Sequence, residues 1–316
     1  MSASPPICVI GVSGFVGSHV AAELLDQGHA VHGTLREPEG PKGAWLRERL
    51  GSRGELTLTA AEVGDRDRLA AAMAGTEGVV MCAGVEAQEP RTVQVMLSAA
   101  ENTLRAAHQH GITRAVFTSS TGSTNPPDGE PAIKREDEHV SDAGQQIAVG
   151  KYSPAAKTLM EHRALHLGAE LGIRVSTLNP SLIVGCGISE QPSPAERWFG
   201  AILRGERMAD RAPNGSMSMI HVQDLARLHV AALQREEARG RYFGVVQSWH
   251  WQDILEALDR AVPAYRAPAW PEEETRTFPT RFDTRRRDSL GVPLRGLDAM
   301  LQDLVAGMRQ RGTLPV

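Results

Sequence analysis

The sequence predicts an α/β fold: a doubly wound parallel sheet flanked by helices, with a smaller lobe at the C-terminal end. Three observations carry this. Ile7-Cys8-Val9-Ile10 is a short apolar run that ends in glycines at 11, 14 and 17 and then gives way to helical spacing. From there, short apolar runs alternate with helical stretches, the pattern of βαβ units on a parallel sheet. Beyond Gly185 the alternation loosens, with prolines at Pro192, Pro194, Pro213, Pro263, Pro268 and Pro271. The expected limits are 1–184, joined again by 215–248, for the sheet domain, and 185–214 with 249–316 for the smaller lobe.

The elements follow in order. Phe15 to Gln27 is helical, Ala30 to Leu35 a second strand and Leu56 to Ala60 a third. Asp65 to Met73 is helical and Gly78 to Cys82 a buried strand; Val93 to His108 is a long helix before the strand Ala115 to Thr118. Asn125 to Gly150 is a long polar stretch bearing Pro and Gly, a length that usually marks function or mobility. Ser153-Pro154 reads as the N-cap and first residue of a helix running to about Leu171. Arg174 to Leu178 is the next strand, with Asn179-Pro180 as its exit.

Bulk composition narrows the classes. At 316 residues and 41% hydrophobic, the chain can bury a large core. A net charge of −4 argues against nucleic acid or an anionic membrane as partner. Cys8, Cys82 and Cys186 are scattered, which suits reduced thiols in a cytoplasm and offers no metal framework. No apolar run is long enough to span a bilayer, and residues 1–6 lack the basic start of a signal peptide. A soluble, cytoplasmic protein is expected.

The glycine turn points to a dinucleotide. Gly11 permits the tight turn, Gly14 lets backbone approach a pyrophosphate, and Gly17 lets helix pack on strand. The helix that follows offers its free amides to the phosphates. The second strand ends in Arg36 rather than an acid that would grip a ribose 2′-hydroxyl; Arg36 can fork a 2′-phosphate, with Lys42 as a second charge, so NADPH is the expected cofactor.

Five stretches in order now resemble the extended short-chain dehydrogenases/reductases, in the branch of dihydroflavonol and cinnamoyl-CoA reductases. They are the turn with Phe15-Val16-Gly17-Ser18-His19, then Val116 to Ser120, Lys157 to Glu161, Leu178 to Ser181, and His221 to Ala226. The resemblance implies a Rossmann-like domain, a small substrate-binding domain and NADPH lying across the sheet. By position it implies that Phe15 and Val16 follow the phosphate turn and that Glu62 and Val63 meet the adenine. Ala83 would line the ribose, Lys157 would hold the nicotinamide ribose hydroxyls, and Pro180 to Ile183 would wall the nicotinamide. Ser120 would bind the substrate carbonyl, with Ser119 as the fallback.

One position departs from the family. Its tyrosine, which donates the proton to the reduced carbonyl, stands four residues before the lysine, one helical turn away on the same face. Here that residue is Ser153, and Tyr152, five before Lys157, is offset from it by one residue, about 100° of helix rotation. Either Tyr152 reaches the site through a distorted first turn, or no protein phenol is there. A ketone carrying its own neighbouring phenol could then supply the proton. The chain is also similar to atypical ketoreductases of angucyclinone-type antibiotic pathways, which would reduce such aromatic polyketides. Two alternatives stay open: a dihydroflavonol reductase-like carbonyl reductase using Tyr152, and a non-catalytic NADP(H) sensor.

Smaller signals weigh less. His162 and His166 share a helix face but lack a third ligand, and Arg285-Arg286-Arg287 reads as a solvated charge run. Trp249-His250-Trp251 with Trp198 and Met208 fits a pocket wall as well as a core. Small apolar residues on the helices Val93–His108 and Lys157–Leu171 fit a homodimer face or packing within one chain. The expected partner is a small aromatic ketone.

Overall fold

The computed structural model describes residues 5–84, 87–189 and 191–314; residues 1–4, part of the stretch read for a leader, lie outside it. Seven strands form one parallel sheet in the order β3-β2-β1-β4-β5-β6-β9. They are β1 (Ile7–Ile10), β2 (Val31–Leu35), β3 (Leu56–Ala60), β4 (Gly78–Met81), β5 (Arg114–Thr118), β6 (Arg174–Pro180) and β9 (Gly240–Gly244). The strand order reverses between β1 and β4, and a crevice opens there at the carboxyl ends.

Helices cover both faces because the central strands β1, β4 and β5 are apolar on both. α1 (Phe15–Asp26), α2 (Pro41–Leu50) and α8 (Val222–Gln234) share one core with β1 and β2. α3 (Arg66–Met73), α4 (Pro90–Gln109) and α6 (Tyr152–Leu171) share the other. A third core belongs to a three-stranded sheet of order β10-β8-β7: β7 (Leu182–Val184), β8 (Ser216–His221) and β10 (Gln247–His250). Around it pack α7 (Pro194–Leu203), α9 (Trp251–Ala261) and α11 (Leu297–Gln310), while α10 (Arg285–Ser289) lies by β9. The chain thus crosses between the sheets, since α8 and β9 return to the large one between β8 and β10.

Several expectations shift. The polar stretch after β5 contains a short helix, α5 (Ala143–Ala148), capped by the Asp142 side chain. α2 carried too little apolar periodicity to be read; its Gly40 N-cap and Pro41 are the surviving signals. Trp251 is buried in the third core and the half-buried Trp198 packs tilted against it at 6.4 Å, with Trp249 and Met208 also packed on that core, which favours packing over a pocket wall. The arginine run is not wholly solvated. Arg287 is buried and donates to the carbonyls of Val245 and Val246, and Arg286 lies over the Tyr242 ring.

A buried ion pair ties the polar stretch to the sheet. Glu161 of α6 and Arg241 of β9 meet at 2.6 Å with both side chains inside the protein. Arg241 also donates to the carbonyls of Ser123, Glu136 and His139, and Asn179 Nδ2 donates to Ser120 O at 3.2 Å and to Glu161. The residues after β5 are held in place from beneath.

Candidate active site

The crevice at the strand ends holds a cavity of about 400 Å³ reaching from the glycine turn to the start of α6. At one end, Gly14, Phe15 and Val16 line it. Gly11 does not line it but makes it possible. Its φ of 78° suits glycine, and a Cβ there would lie 2.8 Å from the Ala83 amide nitrogen. Gly17 is similarly constrained, since a Cβ would come within 2.2 Å of the Gly11 carbonyl oxygen. Ala83 packs against this turn, and its neighbours Cys82 and Gly84 form the wall.

A separate cavity of about 600 Å³ beside the turn is lined by Arg36, Lys42 and Glu62. Arg36 and Lys42 would be the residues to hold a 2′-phosphate there, with the carboxylate of Glu37 on the same lining. Val63 is half-buried against the core, its carbonyl accepting from Asn102 at 3.0 Å, so Glu62 is the member of that pair at the cavity.

At the other end, Thr118, Ser119, Ser120, Ser153, Pro154 and Lys157 converge, and Pro180 with Ile183 closes the side. Ser120 is extended, and its hydroxyl accepts from the Gly122 amide at 3.0 Å, leaving its proton to donate. Ser119 Oγ is buried and has no hydrogen-bond partner among the described residues, so Ser120 is the serine of this pair whose hydroxyl is placed to donate. Lys157 Nζ donates to the Thr118 carbonyl at 2.7 Å. These features fit a nicotinamide dinucleotide: a cradle without side chains, two cations for a third phosphate, and a lysine at the ribose end.

Tyr152 is where expectation and structure part. The helix does not begin after it: α6 starts at Tyr152, with Lys151 as N-cap. The cap read at Ser153 is replaced by a contact from outside the helix, since the Ser153 amide donates to Gln88 Oε1 at 3.1 Å. Regular helix from Tyr152 onward enforces the offset rather than relieving it. Ser153 lines the cavity on the Lys157 face, and Tyr152 is not among the cavity's lining residues.

Sequence reasoning missed the support beneath Lys157. Thr118 Oγ1 donates to His229 Nε2 at 2.8 Å, and His229 Nδ1 donates to the Leu225 carbonyl at 2.8 Å, which fixes the tautomer. Burial pushes the His229 imidazole down to about 4, so it is neutral at ordinary pH. Burial likewise pushes the Cys82 thiol up to about 12, against the lowering effects of Thr118 and Lys157. The only signal for His229 was its place three residues beyond the matched stretch that ends at Ala226. No three metal-ligating side chains cluster among the described residues, and no described helix is long and apolar enough to cross a membrane.

Residues 7–245 match the NAD dependent epimerase/dehydratase family. Cinnamoyl-CoA reductase 1 of Oryza sativa subsp. japonica is 32% identical over 98% of this chain and 92% of its own length. Tetraketide alpha-pyrone reductase 1 of Arabidopsis thaliana is 27% identical over 98% and 96%. Among solved structures, vestitone reductase from alfalfa superposes with a TM-score of 0.84 at 23% identity, over 98% of this chain and all of that one. Yeast methylglyoxal/isovaleraldehyde reductase Gre2, complexed with NADPH, gives 0.81 at 18%, over 98% and 99%. The chain belongs to the NAD dependent epimerase/dehydratase family and is an oxidoreductase of its cinnamoyl-CoA reductase-like branch.

Proposed function

We propose that this enzyme reduces a ketone of an aromatic polyketide, angucyclinone-like in carrying a phenol beside the carbonyl, to a secondary alcohol. The observation that carries the reading is Ser153 on the Lys157 face of α6, in a cavity that Tyr152 does not line. A serine hydroxyl is a far weaker acid than a phenol, and a serine also leaves the volume of a phenol ring unfilled.

NADPH, when bound, supplies the hydride. As it adds to the carbonyl carbon, the C=O π pair moves onto oxygen. Ser120 donates a hydrogen bond to that oxygen, and the Lys157 ammonium stabilises the developing charge. The proton that completes the alcohol comes from the substrate's own phenol, and the phenolate left behind is reprotonated from water. A positioned proton donor contributes roughly 10²–10⁴-fold, so a substrate that brings one replaces what the chain lacks. The small lobe, proposed as 185–214 with 249–316, closes the far side of the cavity through Pro194. A polyketide substrate is supported by the relatives named for a tetraketide.

The test pairs aromatic ketones that differ only in a hydroxyl or a methoxyl next to the carbonyl, followed by NADPH oxidation at 340 nm. The hydroxyl compound is expected to turn over at least about 100-fold faster. Equal rates would sink substrate assistance, and tight NADPH binding with no turnover of any ketone would favour a sensor.

A further inference from the structure

A second cavity, of about 260 Å³, lies on the outer side of the glycine turn. One wall is Ser13, Gly14, Phe15 and Ser18, from the turn and the start of α1. The other comes from the small lobe, from residues 187–189 and 191–194, with Arg197 of α7. That second wall is rigidly built. Glu196 is 2% exposed and accepts from the amides of Gly187 at 3.2 Å and Ser193 at 2.7 Å. It pairs with Arg311 at 3.2 Å, and Arg311 donates to the carbonyls of Gly187 and Ser189 at 2.7 and 2.8 Å. Ser193 Oγ donates to the Gly185 carbonyl at 2.7 Å, and Arg197 Nη1 to the Pro192 carbonyl at 2.5 Å.

The glycine turn is where a dinucleotide places its two linked phosphates, against the free amides of α1. A helix end supplies only about half a positive charge, so the diphosphate dianion leaves room for a cation. Three cavities meet at this turn; with Arg36 and Lys42 in the one read for the 2′-phosphate, the lining cations of the other two are Lys157, at the far end beside Ser153, and Arg197. We propose that Arg197 binds the cofactor diphosphate, so that the glycine turn and the small lobe grip the same group from opposite sides. The buried Glu196–Arg311 pair sets the wall that carries it, and Arg197, exposed and fork-shaped, suits a phosphate oxygen pair.

The diphosphate is common to NADPH and NADH, whereas the 2′-phosphate belongs to NADPH alone. Dissociation constants for both cofactors, read from quenching of tryptophan fluorescence, therefore separate Arg197 from Arg36. Arg197→Gln is expected to weaken both by the same factor, about 10-fold, with partial recovery in Arg197→Lys. Arg36→Gln is expected to weaken NADPH and leave NADH unchanged. Wild-type affinity for both cofactors in Arg197→Gln would overturn the proposal, as would a loss confined to NADPH. The cofactor-free melting temperature of Arg197→Gln should match the wild type; a drop would assign the guanidinium to holding the Pro192 carbonyl instead.

Discussion

The two ends of the cofactor crevice are built on opposite principles. At the glycine turn the function lies in backbone: Gly11 and Gly17 are present because a Cβ would strike Ala83 or Gly11 itself, and no side chain does chemistry there. At the start of α6 the function lies in side chains on a regular helix, where each position is free to be replaced. The first end admits one solution, so it looks the same in any chain that adopts it. The second can lose its acid and keep its shape. An intact turn beside an altered Tyr–Lys face is what the proposed function requires: cofactor binding retained, and the source of the proton moved to the substrate.

Gly17→Ala is the harshest way to test the first half of that comparison. A methyl 2.2 Å from the Gly11 carbonyl oxygen forces strand and helix apart. The expected cost is on the order of several kcal/mol, seen as lost NADPH binding together with a lowered melting temperature. Full affinity in this variant would show that the turn tolerates movement the geometry denies.

Lys157→Ala addresses the second half. With the ammonium gone from the Thr118 carbonyl, kcat should fall by roughly 10²–10³-fold, because charge stabilisation at the reacting oxygen is lost. A fall in cofactor affinity alone, with kcat preserved, would confine Lys157 to holding the ribose.

Beneath Lys157 the prediction concerns pH. His229 sits at about 4 in the fold, against an ordinary 6.5, so the folded state favours the neutral ring. Below pH 6.5 the unfolded chain gains a proton that the folded one refuses, and stability is lost as pH falls from 6.5 towards 4. The loss from this group is on the order of 3 kcal/mol. His19, also buried and also held near 4, adds a similar amount. Urea midpoints at pH 6.5 and 4.5 should differ less in His229→Gln than in the wild type. An equal difference would place the acid sensitivity elsewhere.

The same contrast explains what could be read without a structure. β1, β4 and β5 were legible because strands buried on both faces write continuous apolar runs, and the turn because steric necessity leaves only glycine. His229 was hidden because its partner, Thr118, is 111 residues away and the pair meets only through packing of α8 on β5. Arg197 was hidden because the wall that bears it is fixed by Glu196 and Arg311, whose ion pair leaves no local spacing. The small lobe stayed vague for a related reason: its three short strands come from segments interrupted by α8 and β9.

The smallest expected effect bears most directly on the altered face. Tyr152 is the first residue of α6, five positions before Lys157, and a straight helix turns its ring about 140° away from that lysine, about 100° beyond Ser153. Tyr152→Phe removes only the hydroxyl, so packing is kept and a proton donor, if it were one, is lost. The expected kcat lies within about 2-fold of the wild type, against the roughly 10²–10⁴-fold loss that removal of a working general acid brings. A loss of that size, with NADPH affinity unchanged, would show α6 unwinding at its first turn when substrate binds, and the proton source would return to the protein. Ser153→Tyr is the reciprocal change: it puts a phenol on the Lys157 face and fills the space Ser153 leaves. Ketones lacking a neighbouring hydroxyl should gain rate in that variant while bulky fused-ring ketones lose affinity, because one position controls both the acid and the room for the substrate's own.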